Sequence, residues 1–442
     1  MKRVLVLGAG RVARPCVQYL LKQEGYAVTV VDLSEANLAR VTGGHPRATA
    51  VVDDGAKNTR AILASVKPDV VVNLLPPPFM LSVSRQCLEA KVHQVHAIYL
   101  DGEAMSMTKD VEAAGLVFLG ELGLDPGIDH MSAARTIKGI RDEGGQVESF
   151  RSICGAIPSA EANTNPWGYK LSWAPAALIG ASKRTARIMA DGEKIEWLDG
   201  VTYEHCFLEE VPNLGWFEVY ANADSLPYLE RYGIPEARSI YRGTFRYPGW
   251  SETIVAMNAL GLVEEDPQDL SGLSFRGFMA RQAGSRNPAE AEEAVCRKLG
   301  TRRGSAVFER FAWLGLFDDR PLPFARGSAR DVIAFLFDER LFYTAQEKDL
   351  VILKDELTAF YPKTGKRLRH TSTLIDFGIR CGDSSIARTT GLPPAIAARF
   401  ILEGTIRTPG VLTPVLPEIY GPVMEELEKE GIRMEEKVEE LA

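Results

Sequence analysis

The sequence has few features of a membrane, secreted or metal-binding protein. No apolar run approaches the ~20 residues that a helix needs to cross a bilayer, and the amino terminus lacks the basic, apolar and small-residue order of a signal peptide. The six cysteines and six histidines are scattered without CxxC, HExxH or mixed Cys/His spacing. We therefore expect reduced cysteines, no metal site, no membrane association and a cytoplasmic location.

Clusters of positive charge are also missing. The formal net charge is −8, and the chain contains no Lys/Arg block or basic stripe, so a nucleic-acid partner is not expected. At 442 residues the chain is too long for one compact core and predicts two or three domains. This composition favours an acidic metabolic enzyme with a small-molecule substrate. Large α/β enzymes commonly associate with closed symmetry, so we expect a homodimer.

A glycine motif opens the chain and predicts dinucleotide binding. The apolar run VLVL leads directly into Gly8-Ala9-Gly10-Arg11-Val12-Ala13. Gly8 permits a tight turn, and Gly10 has no side chain to keep the backbone away from a pyrophosphate. The pyrophosphate would then lie on the N-terminus of the following helix, beside Arg11 and Val12.

A second apolar run ends in Asp32, at the spacing expected for the carboxylate that binds the adenosine ribose. Its charge would repel a 2′-phosphate, so the sequence favours NAD over NADP. Arg40, one or two helical turns further on, could still fold back toward this position and permit NADP.

Apolar runs alternate with amphipathic segments over the first 125 residues, which predicts an α/β fold with a parallel, doubly wound Rossmann sheet. Ligands of such sheets bind beyond the carboxyl ends of the strands. We therefore expect Asp53 after the third strand, Leu75 and Pro76 after the fourth, and Tyr99 after the fifth to face the cofactor.

The rest of the chain predicts a second, mixed α/β domain over residues 126–384. Segments after residue 147 are β-rich, residues 265–345 have helical spacing, and a turn at Pro362–Gly365 predicts a hairpin. The tail predicts two amphipathic helices followed by a disordered acidic end.

Three further segments carry a more specific signal: GELGLDPGIDHMSA (120–133), CGAIPSAEANTNPWGYKLSWAP (154–175) and YRGTFRYPGW (241–250). With the tail from SSIARTTGLP to PEIY, they resemble the glutamate-forming saccharopine dehydrogenase family, also called saccharopine reductases. The resemblance covers nearly the whole chain except the stretch near 265–345. It implies an oxidoreductase that interconverts saccharopine with glutamate and 2-aminoadipate 6-semialdehyde by hydride transfer at a secondary amine. It also implies a substrate-binding middle domain and a C-terminal segment, 385–435, that returns to the Rossmann domain at 1–125.

The resemblance implies that an Asp, a Cys and a Tyr line the reaction centre, here Asp125, Cys154 and Tyr99. Asp125 lies where the chain leaves the cofactor domain, and the alternative for it is a helix cap. Cys154 can equally be a small apolar filler. His130 is a further candidate base, although a structural hydrogen bond is the more common role for such a histidine.

A substrate with three carboxylates requires cationic and amide groups. The matched candidates are Arg242, which ranks first because Arg binds carboxylates in a bidentate manner, followed by Thr244, Lys170, Ser172, Trp173 and Asn165. For Lys170 and Arg246 the alternative is a solvated strand face.

One segment departs from the family pattern. After Tyr99 the chain reads LDGEAMSM, so Asp101 and Glu103 add negative charge near the crevice. A more cationic substrate would tolerate this charge better, so a carboxynorspermidine or homospermidine-type enzyme stays an alternative. A non-catalytic nucleotide-binding homologue is the alternative from another class.

Overall fold

The computed structural model describes residues 1–441. Its strands are β1 (Lys2–Leu7), β2 (Tyr26–Asp32), β3 (Ala48–Val52), β4 (Val70–Asn73), β5 (His93–His96), β6 (Val117–Leu119), β7 (Gln146–Pro158), β8 (Ala186–Ala190), β9 (Glu193–Trp197), β10 (Phe207–Val211), β11 (Gly215–Ala221), β12 (Ser239–Arg246), β13 (Gln268–Asp269), β14 (Arg326–Gly327), β15 (Asp349–Tyr361), β16 (Lys366–Phe377), β17 (Gly410–Leu412) and β18 (Glu435–Leu441).

The α-helices are α1 (Ala13–Lys22), α2 (Glu35–Thr42), α3 (Thr59–Val66), α4 (Met80–Ala90), α5 (Gly102–Ser106), α6 (Thr108–Ala113), α7 (Ile128–Asp142), α8 (Pro175–Gly180), α9 (Tyr228–Arg231), α10 (Trp250–Ala259), α11 (Phe275–Gln282), α12 (Ala291–Leu299), α13 (Ala306–Leu314), α14 (Ala329–Arg340), α15 (Ser385–Glu403) and α16 (Pro417–Lys429). Short 3-10 helices cover Pro77–Phe79, Ala160–Ala162, Ala181–Lys183, Val201–His205 and Pro288–Glu290.

The chain forms two compact units. The first unit contains residues 1–147 and the chain from Thr358 onward, and the second unit contains residues 148–357. The sequence-based boundaries at 125/126 and 384/385 therefore differ from the observed ones. The reason is that α7 packs against α16 within the first unit, and Tyr361 at the end of β15 hydrogen-bonds His370 of β16 there, with 2.9 Å between Oη and Nε2.

A parallel sheet forms the centre of the first unit. Its strand order is β17-β6-β5-β4-β1-β2-β3, and each pair of neighbours is parallel. The order reverses between β1 and β4, and this is the point where ligands of doubly wound sheets bind. Residues Val4–Leu7 of β1 are fully buried, as expected for a strand covered on both faces. The predicted Rossmann fold is confirmed.

Helix α15 brings the C-terminal part of the chain against the start of α1. Gly391 lies at their crossing, and a Cβ there would be 2.2 Å from the carbonyl oxygen of Val12. Only glycine permits such close backbone packing. Arg14 also pairs with Asp383, just before α15, at 2.7 Å.

The end of the chain was predicted to be disordered, and this was wrong. Residues Glu435–Leu441 form β18, which pairs antiparallel with β16. Glu440 accepts a hydrogen bond from Lys366 at 2.7 Å, and Glu436 accepts one from Arg135 of α7 at 2.5 Å. These basic partners offset the acidic charge that suggested disorder.

A mixed sheet organises the second unit, as predicted. Its strands follow the order β10-β11-β12-β7-β15; β11 is antiparallel to β12, and β12 is parallel to β7. The 265–345 segment contains helices α11–α14, which contribute to a core built around Trp167. The Trp167 indole donates to the carbonyl oxygen of Arg310 at 2.9 Å. Among residues 1–441, no helix combines the length and the hydropathy needed to span a bilayer.

Candidate active site

The loop after β1 has the shape that a pyrophosphate requires. Gly8 has a φ of +97°, and a Cβ there would lie 3.0 Å from the carbonyl oxygen of Leu74, so glycine is required. A Cβ on Gly10 would meet no described atom within 4 Å, which leaves space for a ligand above it. Arg11 and Val12 complete the turn, and the side chain of Val12 does not cap the first turn of α1. These features fit a nucleotide pyrophosphate.

Asp32 and Arg40 both contact the glycine loop. The Asp32 carboxylate accepts from the N–H of Ala9 at 2.7 Å and from the N–H of Ser34 at 2.8 Å. The Arg40 guanidinium donates to the carbonyl oxygens of Ala9 and Gly10, at 2.9 and 3.0 Å. A carboxylate and a cation therefore both bind the backbone of Ala9, where the adenosine ribose is expected.

The ends of β3 and β4 place the other predicted cofactor residues at the same edge of the sheet. Asp53 donates its N–H to the carbonyl oxygen of Asp32 at 3.2 Å, and its carboxylate accepts from the Asn58 amide at 2.7 Å. The N–H of Leu75 donates to the Asn73 side chain at 3.1 Å. Pro76 follows and precedes a 3-10 turn.

Two of the three predicted catalytic residues touch each other. The Tyr99 hydroxyl donates to the Asp125 carboxylate with 2.8 Å between the oxygens. Tyr99 is 41% exposed, and Asp125 is half-buried. A phenol and a carboxylate at this distance can share and transfer a proton. His130 does not join them, because it is buried and its Nε2 lies 3.0 Å from Glu121.

In the second unit, one face of the sheet gathers the third catalytic candidate and part of the substrate set. Cys154 of β7 is paired in register with Thr244 of β12, and Thr244 is paired with Tyr220 of β11. Side chains alternate along a strand, so Arg242, Thr244 and Arg246 point to this same face. Burial raises the pKa of Tyr220, so its hydroxyl stays protonated and can donate.

Arg246 is a buried cation of this face. Its side chain is buried, and its guanidinium lies 5.0 Å from the ring centre of Tyr169 and 5.4 Å from that of Trp250. Burial lowers the pKa of Arg246, but three tyrosines and Cys154 raise it above its usual value; these groups include no carboxylate. The Nε atom has no hydrogen-bond partner among the described residues. This arrangement suits an anionic ligand.

Arg242 and Lys170, the two cations that the sequence ranked highest, each have a partner within the second unit. The Arg242 guanidinium stacks 4.2 Å from the ring centre of Tyr228. Lys170 is buried and forms an ion pair with Glu347. Burial opposes the ionised state of Glu347, but the hydrogen bond from Lys170 lowers its pKa overall.

The remaining substrate candidates surround Tyr169. Its hydroxyl lies 3.2 Å from the Ser172 hydroxyl and accepts from the Trp173 indole at 3.1 Å. The amide of Asn165 donates to the Tyr169 carbonyl oxygen at 2.9 Å. These three residues therefore fix the ring that faces Arg246.

Sequence reasoning missed the positions of Arg246, Tyr169 and Tyr220. The alternation in YRGTFRYPG already put Arg246 on the same face as Thr244, and this signal was available. The neighbours that bury Arg246 come from other segments and were not visible. No group of His, Cys, Asp and Glu side chains within residues 1–441 is arranged to hold a metal ion.

Family models match both parts of the chain. The saccharopine dehydrogenase NADP binding domain matches residues 4–119, and the saccharopine dehydrogenase C-terminal domain matches residues 123–432. A solved structure, the apo histidine-tagged saccharopine dehydrogenase (L-Glu forming) from Saccharomyces cerevisiae, superimposes with a TM-score of 0.89 at 32% identity. It covers 99% of this chain and 100% of that one.

Curated relatives agree with the models. The saccharopine dehydrogenase [NADP(+), L-glutamate-forming] of Saccharomyces cerevisiae is 34% identical over 451 residues, 99% of either chain. The mitochondrial alpha-aminoadipic semialdehyde synthase of Bos taurus is 32% identical over 98% of this chain. That match covers 47% of the bovine protein, so this chain spans about half of its length. A carboxynorspermidine synthase of Vibrio alginolyticus matches only 50% of this chain, at 25% identity.

The family predicted from the sequence motifs is thus confirmed over nearly the full length. The chain belongs to the saccharopine dehydrogenase family.

Proposed function

We propose that this chain interconverts saccharopine with L-glutamate and 2-aminoadipate 6-semialdehyde. The observation that carries the proposal is the Tyr99–Asp125 hydrogen bond, 2.8 Å long, at the carboxyl edge of the Rossmann sheet. Support comes from the full-length similarity to a yeast enzyme named for this reaction.

The reaction requires proton transfers that the protein must provide. Overall, saccharopine, the oxidised coenzyme and water give glutamate, the semialdehyde, the reduced coenzyme and one proton. The glycine loop at Gly8 and Gly10 would hold the coenzyme, which would supply the hydride acceptor for the carbon beside the secondary amine. Asp125 takes the proton from the amine nitrogen, and Tyr99 orients the carboxylate and relays a proton to and from water.

Substitution of Asp125 tests this assignment. A general acid or base contributes roughly 10²–10⁴-fold to turnover, so Asp125→Asn is expected to lower kcat by that order. Dinucleotide affinity, measured by fluorescence titration, should stay nearly unchanged. An equal loss of turnover and of dinucleotide affinity would contradict the role.

In the second unit, Arg246 binds a substrate carboxylate. Glu218, its partner in strand register, accepts from the N–H groups of Gly249 and Ser251, and the Nε of Arg246 has no hydrogen-bond partner among the described residues. A substrate with three carboxylates would supply one. Thr244 and Tyr220 offer hydroxyl groups beside it, and Cys154 is the thiol nearest to them in strand register.

The acidic residues after Tyr99 do not require a cationic substrate. Asp101 caps helix α5, because its carboxylate accepts from the N–H of Ala104 at 2.8 Å. Glu103 pairs with Arg85 on α4. Both carboxylates have local partners, which favours saccharopine over a carboxylated polyamine.

For the coenzyme we infer NADP(H). The NAD preference drawn from Asp32 has less support, because the matching family model is an NADP binding domain and the yeast relative is named for NADP(+). Arg40 does fold back onto the glycine loop, where it can offset the charge of Asp32 and attract a 2′-phosphate. Arg40→Gln should then weaken NADPH binding more than NADH binding. Equal effects on the two coenzymes would remove Arg40 from this role.

The deciding experiment is an activity assay on the purified chain. Oxidation of NADPH and NADH is followed by absorbance with glutamate plus 2-aminoadipate semialdehyde, and separately with polyamine plus aldehyde pairs. Turnover with the glutamate pair alone is expected. Turnover only with the polyamine pairs would establish the polyamine alternative, and dinucleotide binding without any turnover would establish the non-catalytic one.

We propose that the chain forms a homodimer, because large α/β enzymes commonly form closed symmetric pairs. We also propose a cytoplasmic location. Sedimentation equilibrium at several concentrations tests the assembly. A single monomer mass throughout would exclude the dimer.

A further inference from the structure

Three buried ionisable residues lie next to the Tyr99–Asp125 pair without belonging to it. Glu121 and Asp129 are 0% exposed, and His130 is 1% exposed. Burying such groups in one small volume costs free energy unless they are paired and hydrogen-bonded. Their contacts indicate what this arrangement does.

Glu121 holds the residues on both sides of Tyr99. Its N–H donates to the carbonyl oxygen of Ile98 at 3.0 Å, and its carboxylate accepts from the N–H of Leu100 at 2.9 Å. The φ of Glu121 is +54°, a left-handed value that residues other than glycine rarely adopt. A glycine would relieve this strain but would lose the contact with Leu100.

Asp129 holds the turn on both sides of Asp125. Its carboxylate accepts from the N–H of Gly127 at 2.5 Å, and its own N–H donates to the carbonyl oxygen of Leu124 at 3.1 Å. The backbone that carries Asp125 is therefore fixed before and after the catalytic carboxylate.

His130 connects the two holding residues. Its Nε2 lies 3.0 Å from the Glu121 carboxylate, and its Nδ1 lies 3.4 Å from the Asp129 carboxylate. One imidazole thus bridges the segment that carries Tyr99 and the turn that carries Asp125.

A second histidine supports the Tyr99 segment. His96 accepts from the N–H of Ile98 through Nδ1 at 3.2 Å. Burial lowers the pKa of His96 to about 4, so its ring is neutral at physiological pH and the nitrogen can accept.

We propose that Glu121, His130 and Asp129 form a positioning bridge that sets the distance between the Tyr99 hydroxyl and the Asp125 carboxylate. The inference rests on the proposed catalytic role of that pair. The bridge acts through backbone contacts, so its loss should reduce turnover without removing coenzyme affinity. A misplacement near 1 Å can cost about a hundredfold in rate.

The first test uses Glu121→Gln and His130→Gln. Glutamine keeps the size of Glu121 and an acceptor for the Leu100 N–H, but it removes the negative charge that lies 3.0 Å from the Nε2 of His130. We expect kcat to fall about tenfold to a hundredfold, with the KM and the Kd for NADPH unchanged. Glu426→Gln is the matched control, since Glu426 is a buried carboxylate of the same unit in a separate network with Tyr19 and Arg399. It should leave kcat near the wild-type value.

A double-mutant cycle separates positioning from general stability. If Glu121 acts through Tyr99, adding Glu121→Gln to Tyr99→Phe should lower kcat little further than Tyr99→Phe alone. Fully additive losses, unchanged kcat in Glu121→Gln, or parallel losses of kcat and NADPH affinity would each overturn the proposal.

Hydrogen exchange provides a readout that does not depend on activity. In Glu121→Gln, amides of residues 98–100 and 124–127 should exchange faster, while amides of β1 and β2 should keep their rates. Faster exchange everywhere, or nowhere, would refute the bridge. If the wild type turned over no candidate substrate, the proposed function would fail, and the exchange data would still decide whether the bridge holds these two segments.

Discussion

Substitution of Arg246 tests whether this buried side chain contributes to substrate binding rather than to folding stability. We consider Arg246→Met, which keeps an unbranched side chain of similar length and removes the charge. Arg246 is 6% exposed in the wild type, and its guanidinium donates to the carbonyl oxygen of Phe245 at 2.8 Å and faces two aromatic rings. The variant loses this hydrogen bond and both ring contacts.

The lost contacts amount to roughly 2–5 kcal/mol, about 1 for the hydrogen bond and about 0.5–2 for each ring. Against this, removing a buried charge recovers several kcal/mol of desolvation. We therefore expect the free energy of unfolding of Arg246→Met to stay within about 1 kcal/mol of the wild type or to rise. For contrast, Lys170→Met leaves the half-buried Glu347 carboxylate without its cation, and should destabilise the chain by about 1–3 kcal/mol.

Substrate binding by Arg246→Met should weaken, in contrast to its stability. A carboxylate held by two charge-assisted hydrogen bonds loses about 2–4 kcal/mol with the guanidinium, which is roughly 30- to 1000-fold in kcat/KM for saccharopine. Arg246→Lys keeps the charge without the bidentate geometry, so its kcat/KM should lie between those of the wild type and Arg246→Met. Urea denaturation and steady-state kinetics measure both quantities on the same samples. An unfolded Arg246→Met, or one with nearly unchanged kcat/KM, would refute the assignment.

Two further predictions concern the first unit. Gly391→Ala should destabilise the chain by about 1–3 kcal/mol, because the new Cβ would lie 2.2 Å from the Val12 carbonyl oxygen; an unchanged melting temperature would show that the two helices separate at little cost. For His96, burial lowers the pKa from 6.5 to about 4, so the unfolded chain binds a proton that the folded chain does not between these values. The neutral His96 ring therefore contributes about 3 kcal/mol to the free energy of unfolding. This stabilisation is fully present above pH 6.5 and is lost as the pH falls toward 4. His96→Asn should flatten the unfolding free energy over that window, and an unaltered slope would contradict the pKa shift.

Local pattern was sufficient for the nucleotide-binding half of the fold. The glycine loop, the spacing to Asp32 and the alternation of apolar runs are properties of short segments, and they predict a parallel sheet with its functional edge. The same edge rule selected Tyr99, and the break after the sixth strand selected Asp125. Their 2.8 Å contact joins residues 26 positions apart, and no local pattern could show it.

Contacts between residues that are distant in the sequence determine the features that local sequence patterns did not predict. Arg242 and Arg246 share a strand face, and the sequence alone could not show which aromatic rings surround each guanidinium. Tyr228 covers the Arg242 guanidinium, and Lys170 meets Glu347 from 177 positions away. The acidic tail became a strand for the same reason, since Lys366 and Arg135 supply charges that its own composition lacks.

The structure also shows what most residues of the family segments do, which could not be inferred from each residue alone. In NPWGYKLSW, the side chains of Asn165, Ser172 and Trp173 all contact Tyr169, and in GELGLDPGIDH the polar residues hold the turn around Asp125. Most of each motif therefore fixes one functional group rather than touching a ligand. Catalytic groups need placement within about 0.5 Å, and this demands a rigid surrounding shell. Substitutions across these segments should for this reason lower kcat more than they weaken coenzyme binding.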